Sequence, residues 1–283
     1  MKRNIYLLAL VSMICAVSSC KKEDSESGTK AVFSYVADGF KVNFTNFSTN
    51  ATDYTWDFGD DSGETSTSKS PQHIFKKKGD FLVSLTAKNG AETSTFIDTV
   101  TIIGPNITIN GDFSDWEYVS FTHENAAGTP GTLSGLKTFA SATDIYFYLE
   151  GTPDMKVELF DMFIDADNNP ATGYNIGAYP AGSGADFLLE GPPVKPGWGS
   201  VYKHTGGPND FSFTPVATFD DAMNFSAIVT SGGKNIFEFS IKKSALGAPK
   251  GFVNFCFFDL SSGYAELGKL PGAPTAKFIA VPL

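Results

Sequence analysis

The sequence predicts an all-β chain of two β-sandwich domains in tandem, and three observations carry that prediction. Aromatic residues make up 14% of the chain, 26 of them Phe, beside 28 Gly and 15 Pro, a mixture that suits short strands joined by tight turns. Apolar residues recur at period 2 in Phe40, Val42 and Phe44, in Trp56 and Phe58, and in Phe81, Val83, Leu85 and Ala87, as half-buried antiparallel strands require. Gly104-Pro105 then interrupts the alternation, which sets one domain at residues 31–103 and a larger one at 106–283.

The N-terminus reads as an export signal over residues 1–19. Lys2 and Arg3 precede an apolar run from Ile5 to Val17, and small residues close it at Val17-Ser18-Ser19-Cys20. The run is shorter than the roughly 20 residues a membrane-spanning helix needs. A cysteine at this junction resembles the lipobox of bacterial lipoproteins, which implies that Cys20 is acylated and becomes the new N-terminus. Each buried methylene adds about 0.8 kcal/mol, so several acyl chains hold a protein on a membrane where one holds it only marginally. Lys21-Lys22-Glu23-Asp24 resembles the export tag of Bacteroidota lipoproteins, which implies an outer-membrane lipid anchor with the protein exposed at the cell surface. Residues 20–30 form a lipidated tether, because Lys21 to Lys30 include no hydrophobe and cannot order themselves by burial.

Charge and cysteine usage narrow the classes further. The net charge is −10 and the only basic block is Lys76-Lys77-Lys78, which argues against nucleic acid or an anionic membrane surface as partner. With Cys15 leaving in the signal and Cys20 acylated, Cys256 is the single remaining thiol, so no intramolecular disulfide forms. Its setting, Phe252-Val253-Asn254-Phe255-Cys256-Phe257-Phe258, is that of a buried small hydrophobe.

In the first domain, Tyr54-Thr55-Trp56-Asp57-Phe58-Gly59-Asp60-Asp61-Ser62-Gly63, then Pro71-Gln72-His73-Ile74-Phe75 and Gly79-Asp80-Phe81-Leu82-Val83-Ser84-Leu85, resemble polycystic-kidney-disease (PKD) domains in order and spacing. The resemblance implies a small sandwich with Trp56 in its core, Asp57 and Asp60 bonding within a turn, and a role as spacer or adhesion module. Asp98-Thr99-Val100 resembles the short sequon of Bacteroidota O-glycosylation, with Thr99 as the acceptor.

The second domain opens with Ile107-Thr108-Ile109-Asn110-Gly111-Asp112-Phe113-Ser114-Asp115-Trp116, which resembles the start of family 9 carbohydrate-binding modules and their DOMON-like relatives, with Asn110 where Asp is usual. Asp144 to Glu150, Met162 to Pro170 and Phe237 to Gly247 extend the resemblance over residues 106–283. It implies a larger sandwich that binds glycan, with Trp116 in the core.

Two constellations could carry chemistry. Asp165, Asp167 and Asn169 alternate along a loop, with Asp186 as a partner from the next strand, and hard oxygens at this density suit Ca²⁺ in a structural role. Hydrogen-bonded turns without an ion are the alternative. An EF-hand is excluded, since its sixth and twelfth positions fall on Pro170 and Ile176. Tyr174, Tyr179, Trp198 and Tyr202 lie among glycines and prolines, where large rings resist burial and can stack on flat sugar faces. Trp198 is the foremost ligand platform; folding back as a lid over the sandwich is its other reading.

Enzymatic motifs are missing from the sequence. His73, His123 and His204 have no metal-ligand spacing, and neither a nucleophile elbow nor a phosphate-cradling loop occurs. A haem-type axial pair would draw on His123 with Met155 or Met162, and a hydrolase pair on Asp165 with Asp186 or Glu190. The expectation is therefore a cell-surface lipoprotein that binds polysaccharide or oligosaccharide non-catalytically in a capture and uptake system, with outer-membrane glycan transporter components as partners. Its acidity favours neutral sugars over sulfated or uronic ones. The alternatives are a surface adhesin or assembly module, and a glycan hydrolase.

Overall fold

A computed structural model describes residues 28–179, 183–273 and 277–283. Cys20, the signal segment and all but the last three residues of the tether lie outside the described residues. The chain folds as two antiparallel β-sandwiches in tandem.

The first sandwich contains β1 (Phe33–Asp38), β2 (Lys41–Asn46), β3 (Asp53–Asp57), β4 (Thr65–Ser66), β5 (Gln72–Ile74), β6 (Gly79–Asn89) and β7 (Glu92–Ile102). They pair as a sheet of order β1-β2-β5 facing one of order β4-β3-β6-β7. The period-2 residues Val42, Phe44, Trp56, Val83 and Leu85 all point into the space between the sheets and are buried. Trp56 donates its Nε1–H to the Ser68 carbonyl at 2.9 Å, so its one polar atom is satisfied inside the core. Asp57 accepts from the Gly59 amide at 3.0 Å and Asp60 from Ser62 at 3.1 Å, which makes both carboxylates turn formers. His73 is buried, stacked on Phe58 at 3.9 Å, with its Nε2 2.8 Å from Asp60 Oδ2. At Gly59 φ is +65°, and a Cβ would meet the Leu82 carbonyl oxygen at 2.3 Å, so this turn admits only glycine.

The second sandwich contains β8 (Phe121–Glu124), β9 (Leu133–Ala140), β10 (Asp144–Gly151), β11 (Leu159–Asp165), β12 (Phe187–Gly191), β13 (Ser200–His204), β14 (Phe213–Thr218), the single-turn helix α1 (Phe219–Ala222), β15 (Met223–Phe225), β16 (Val229–Ser231), β17 (Lys234–Lys242), β18 (Phe252–Leu260), β19 (Glu266–Leu270) and β20 (Ile279–Pro282). One sheet runs β15-β17-β10-β9-β8 with β16 on β17; the other runs β14-β13-β12-β11-β18-β19 with β20 on β18. Phe147, Phe160, Phe239, Phe255 and Phe257 fill the layer between them, Phe147 and Phe239 stacking at 4.7 Å. Met155 and Met162 belong to this dry core while His123 Nε2 lies 3.2 Å from Asn125 Oδ1, so the haem-type pairing is not assembled.

The opening motif of the second domain lies across the outer face of its six-stranded sheet. Glu238, fully buried on β17, takes the Asn110 and Gly111 amides on Oε1 at 2.8 Å each and the Trp116 indole N–H on Oε2 at 2.8 Å. Trp116, Val119, Phe139, Tyr148 and Ile236 join the buried cluster of the first sandwich, so that core extends over the outer face of the six-stranded sheet. Phe40 meets Phe139 edge-on at 6.2 Å, and Gly104, at φ +82°, passes where a Cβ would stand 2.5 Å from the Phe139 ring. The glycine is thus required by close approach as well as by backbone angle. Cys256 is free and buried, and burial pushes its thiol well above the usual range, as an inert core residue. No helix among the described residues is long and apolar enough to cross a membrane.

Candidate functional site

The outer face of the seven-stranded sheet carries the most site-like arrangement in the second domain. On β11, Phe160, Met162 and Ile164 turn into the core, so Leu159, Asp161, Phe163 and Asp165 belong to the opposite face. Half of that face is roofed by the segment following β11, through Ile176 and Tyr179, together with Phe278. Beyond the roof the register sets Ser200, Glu190, Asp161, Phe258 and Lys269 side by side across β13, β12, β11, β18 and β19. This is a polar row on an apolar floor.

Asp161 is the chemical centre of the row. Its Oδ1 is sealed from solvent and has no hydrogen-bond partner, and burial, reinforced by the neighbouring Glu190 carboxylate, raises its pKa to about 7. Tyr264 reaches Glu190 with its hydroxyl at 3.4 Å, and burial followed by the Glu190 charge raises the phenol pKa. Tyr264 has φ +63°, a strained conformation for an aromatic residue, and its side chain is 53% exposed. The group combines hydrogen-bond acceptors with a presented ring, which is what a polyol with apolar C–H faces needs.

The sequence-designated aromatics divide. Trp198 is 52% exposed, two residues before Ser200 at the rim of the row, so the lid reading fails. Tyr202, on β13 opposite Leu188, is half-buried on the same face. Tyr174 is half-buried among Phe163, Phe211, Phe213 and His204, away from the row. Tyr179 is a correction: it is 1% exposed, packs against Phe258 and Phe278, and donates its hydroxyl to the Pro271 carbonyl at 2.8 Å. The roof segment has its own apolar anchors, and Tyr179 is one of them rather than a platform.

Asp165, Asp167 and Asp186 converge, with carboxylate oxygens within 4.8 Å of one another. Burial raises the pKa of both Asp165 and Asp186. Asp186 Oδ2 accepts the Ala166 and Asp167 amides at 2.9 and 3.1 Å, and Asp165 Oδ2 accepts from Asn254 at 3.2 Å. None of the three forms an ion pair among the described residues. Spare carboxylate lone pairs and uncompensated charge fit a hard cation such as Ca²⁺. Asn169 is exposed and spends its Oδ1 on the Ala171 amide at 3.2 Å, so it caps the loop. Of the two hydrolase pairings, the one with Glu190 is corrected, because Glu190 stands opposite Asp161 whereas Asp165 stands opposite Asn254; Asp165 and Asp186 do lie together.

Asp161 and Tyr264 escaped the sequence reading. The signal for Asp161 is a lone carboxylate at an outward position of the apolar strand Leu159-Phe160-Asp161-Met162-Phe163-Ile164. Tyr264 in Ser261-Ser262-Gly263-Tyr264 looks like an ordinary turn residue until the fold carries it to Glu190.

Comparison with known proteins bears on the first sandwich. Residues 26–102 match the family model of the PKD domain. Among solved structures, the chain is similar to the PKD1 domain of Vibrio cholerae metalloprotease PrtV, with 30% identity, 26% of this chain and 96% of that chain covered, and a TM-score of 0.25. It is similar to the PKD1 domain of Vibrio anguillarum Epp with 29% identity, 28% and 96% coverage and a TM-score of 0.26. A structure described as showing the promiscuous specificity of carbohydrate-binding modules from the β-sandwich superfamily aligns at 19% identity, 76% and 91% coverage and a TM-score of 0.25. No curated protein matches the chain.

Proposed function

We propose that this protein is a surface lipoprotein that binds extracellular glycan non-catalytically, through the outer face of the seven-stranded sheet, as part of a polysaccharide capture and uptake system. The observation that carries the reading is the row of Glu190 and Asp161 edged by the exposed rings of Trp198 and Tyr264. Acceptors beside stacking surfaces, with no fixed nucleophile, suit holding a sugar. In this account acylated Cys20 anchors the chain in the outer membrane, the first sandwich is a spacer, and glycan transporter components are the partners. Binding to a panel of soluble polysaccharides tests it. At least one should be retained, and Trp198→Ala should weaken that binding about tenfold or more, the scale of about 2 kcal/mol on which truncating an aromatic anchor at a binding surface falls. Retention of none would move the rings to the adhesin reading.

A second reading has its own observation. Asp161, whose pKa burial raises to about 7, stands directly opposite a second carboxylate, Glu190, on the adjacent strand, the pairing a glycosidase acid requires. Release of reducing sugar that Asp161→Asn and Glu190→Gln each abolish would establish hydrolysis; no release from a glycan the protein binds would remove it.

The acidic loop is proposed as a structural Ca²⁺ site formed by Asp165, Asp167 and Asp186, with Asn169 shaping the loop. Millimolar Ca²⁺ should raise the melting temperature, chelator should reverse the rise, and Asp165→Ala should abolish it. A melt indifferent to calcium and chelator would eliminate the ion.

A further inference from the structure

A group of lysines gathers at the junction of the two sandwiches, in a chain whose net charge is −10. Lys78 of the first sandwich donates to the Ala140 carbonyl at 2.6 Å, and Lys243 of the second donates to the next carbonyl, Ser141, also at 2.6 Å. Lys242 donates to the Asp221 carbonyl at 2.6 Å and Lys195 to the adjacent Asp220 carbonyl at 3.0 Å. None of the four makes an ion pair among the described residues. Each ammonium is pinned by a backbone carbonyl and keeps further N–H donors. Burial first, then the charge of Lys78, lowers the Lys243 pKa, while Asp144 opposes the shift, so the two cations repel one another and a single nearby carboxylate offsets only part of that repulsion.

Lys195, Lys242 and Lys243 border two neighbouring clefts, and Lys78 stands beside Lys243. One, of about 470 Å³, is lined by Lys242, Lys243, Thr143 and Asp144; the other, of about 550 Å³, by Lys195, Asn224, Tyr146 and Asp144. Both fall in the range of about 300–1,000 Å³ usual for small-ligand sites. Asp144, the one carboxylate shared by the clefts, is engaged by the Thr143 hydroxyl.

We infer that this lysine row binds an anionic saccharide chain, one whose sugars carry carboxylate or sulfate groups. The inference rests on the glycan-binding reading and adds a second contact region, with a charge preference opposite to the one the net charge suggests. Ammonium groups held at fixed carbonyls beside two clefts, each with donors to spare, match acidic groups repeated along a chain. Position favours a glycan over a lipid surface. Thr29 bonds to Glu92 where the chain enters the first sandwich, and the eleven-residue β7 then runs about 35 Å to Ile102 at the junction. The row therefore stands at the far end from the segment that would carry the anchor.

The test measures retention of the purified full chain by polygalacturonate, dextran sulfate and a set of neutral polysaccharides. The comparison uses wild type, Lys78→Gln/Lys243→Gln, and a charge-matched control, Lys69→Gln/Lys88→Gln, at exposed positions elsewhere. The expected result is salt-sensitive binding to at least one anionic polymer that the junction variant weakens about tenfold or more, while the control variant leaves it within about twofold. Which polymer binds tells carboxylate from sulfate. Anionic binding lost equally in the control variant, or unaffected in the junction variant, overturns the inference. Binding to neutral polymers alone overturns it and leaves the glycan reading standing; binding to no polymer removes both. Adsorption to phosphatidylglycerol vesicles without polymer binding would assign the row to a membrane and also overturn it. Melting curves identical to wild type confirm that the variants are folded.

Discussion

Glu238→Ala is expected to destabilise the protein by about 1–3 kcal/mol, the range for leaving a buried donor without its partner. The carboxylate is fully buried and satisfies three donors at once, the Asn110 and Gly111 amides and the Trp116 indole. Alanine would orphan the Trp116 indole N–H inside the core and leave the Asn110 and Gly111 amides to find water at the edge of the motif. The damage should spread, because Trp116 lies in the buried cluster that joins the two sandwiches. Glu238→Gln keeps the shape and one acceptor oxygen but sets an amide N–H₂ against a remaining donor, so an intermediate loss is expected. Urea denaturation followed by tryptophan fluorescence measures both. A loss under about 1 kcal/mol for the alanine variant would mean that the opening motif is not held by this residue.

Asp161→Asn is expected to stabilise the protein above neutral pH by about 2–4 kcal/mol while weakening glycan binding. The carboxyl has an ordinary pKa of 3.8, and burial with the Glu190 charge raises it to about 7 in the folded state. A folded-state carboxyl pKa above the unfolded one means the native state binds the proton more tightly. Stability is therefore undiminished below about pH 4, falls as pH rises through the interval up to about 7, and stays reduced above it. Asparagine carries no such penalty. Denaturation at pH 5 and pH 8 should show a larger gain at pH 8; equal differences at the two values would contradict the buried-charge account. A carboxyl whose burial costs stability at working pH is the kind of group that function retains.

What was legible in the sequence follows how local each feature is. The alternation around Val42, Trp56 and Val83 is set by near neighbours, and it located the first core because each residue's face follows from the pleat. Trp198 could be read as exposed because the flanking Pro196-Gly197 and Gly199 leave the loop no apolar residue of its own to bury the ring. Tyr179 sits in a similar glycine- and proline-rich stretch, yet it is buried by Phe258 and Phe278, partners roughly 80 and 100 residues away that composition does not reveal. The lysine row is the extreme case. Lys78, Lys195 and the Lys242-Lys243 pair come from separate segments; the fold of the second sandwich gathers the last three, and its packing on the first brings Lys78 to the carbonyl next to that held by Lys243. Asp165, Asp167 and Asp186 were legible because two share a loop and the third begins the next strand of the hairpin.

The central claim is that glycan is held on the outer face of the seven-stranded sheet. Hydrogen–deuterium exchange with and without a polysaccharide whose retention depends on Trp198 tests it most directly. The account predicts slowed exchange in β11, β12, β13 and the turn carrying Tyr264, with the first sandwich unchanged. Protection confined to the first sandwich, or to the outer face of the six-stranded sheet, would contradict it.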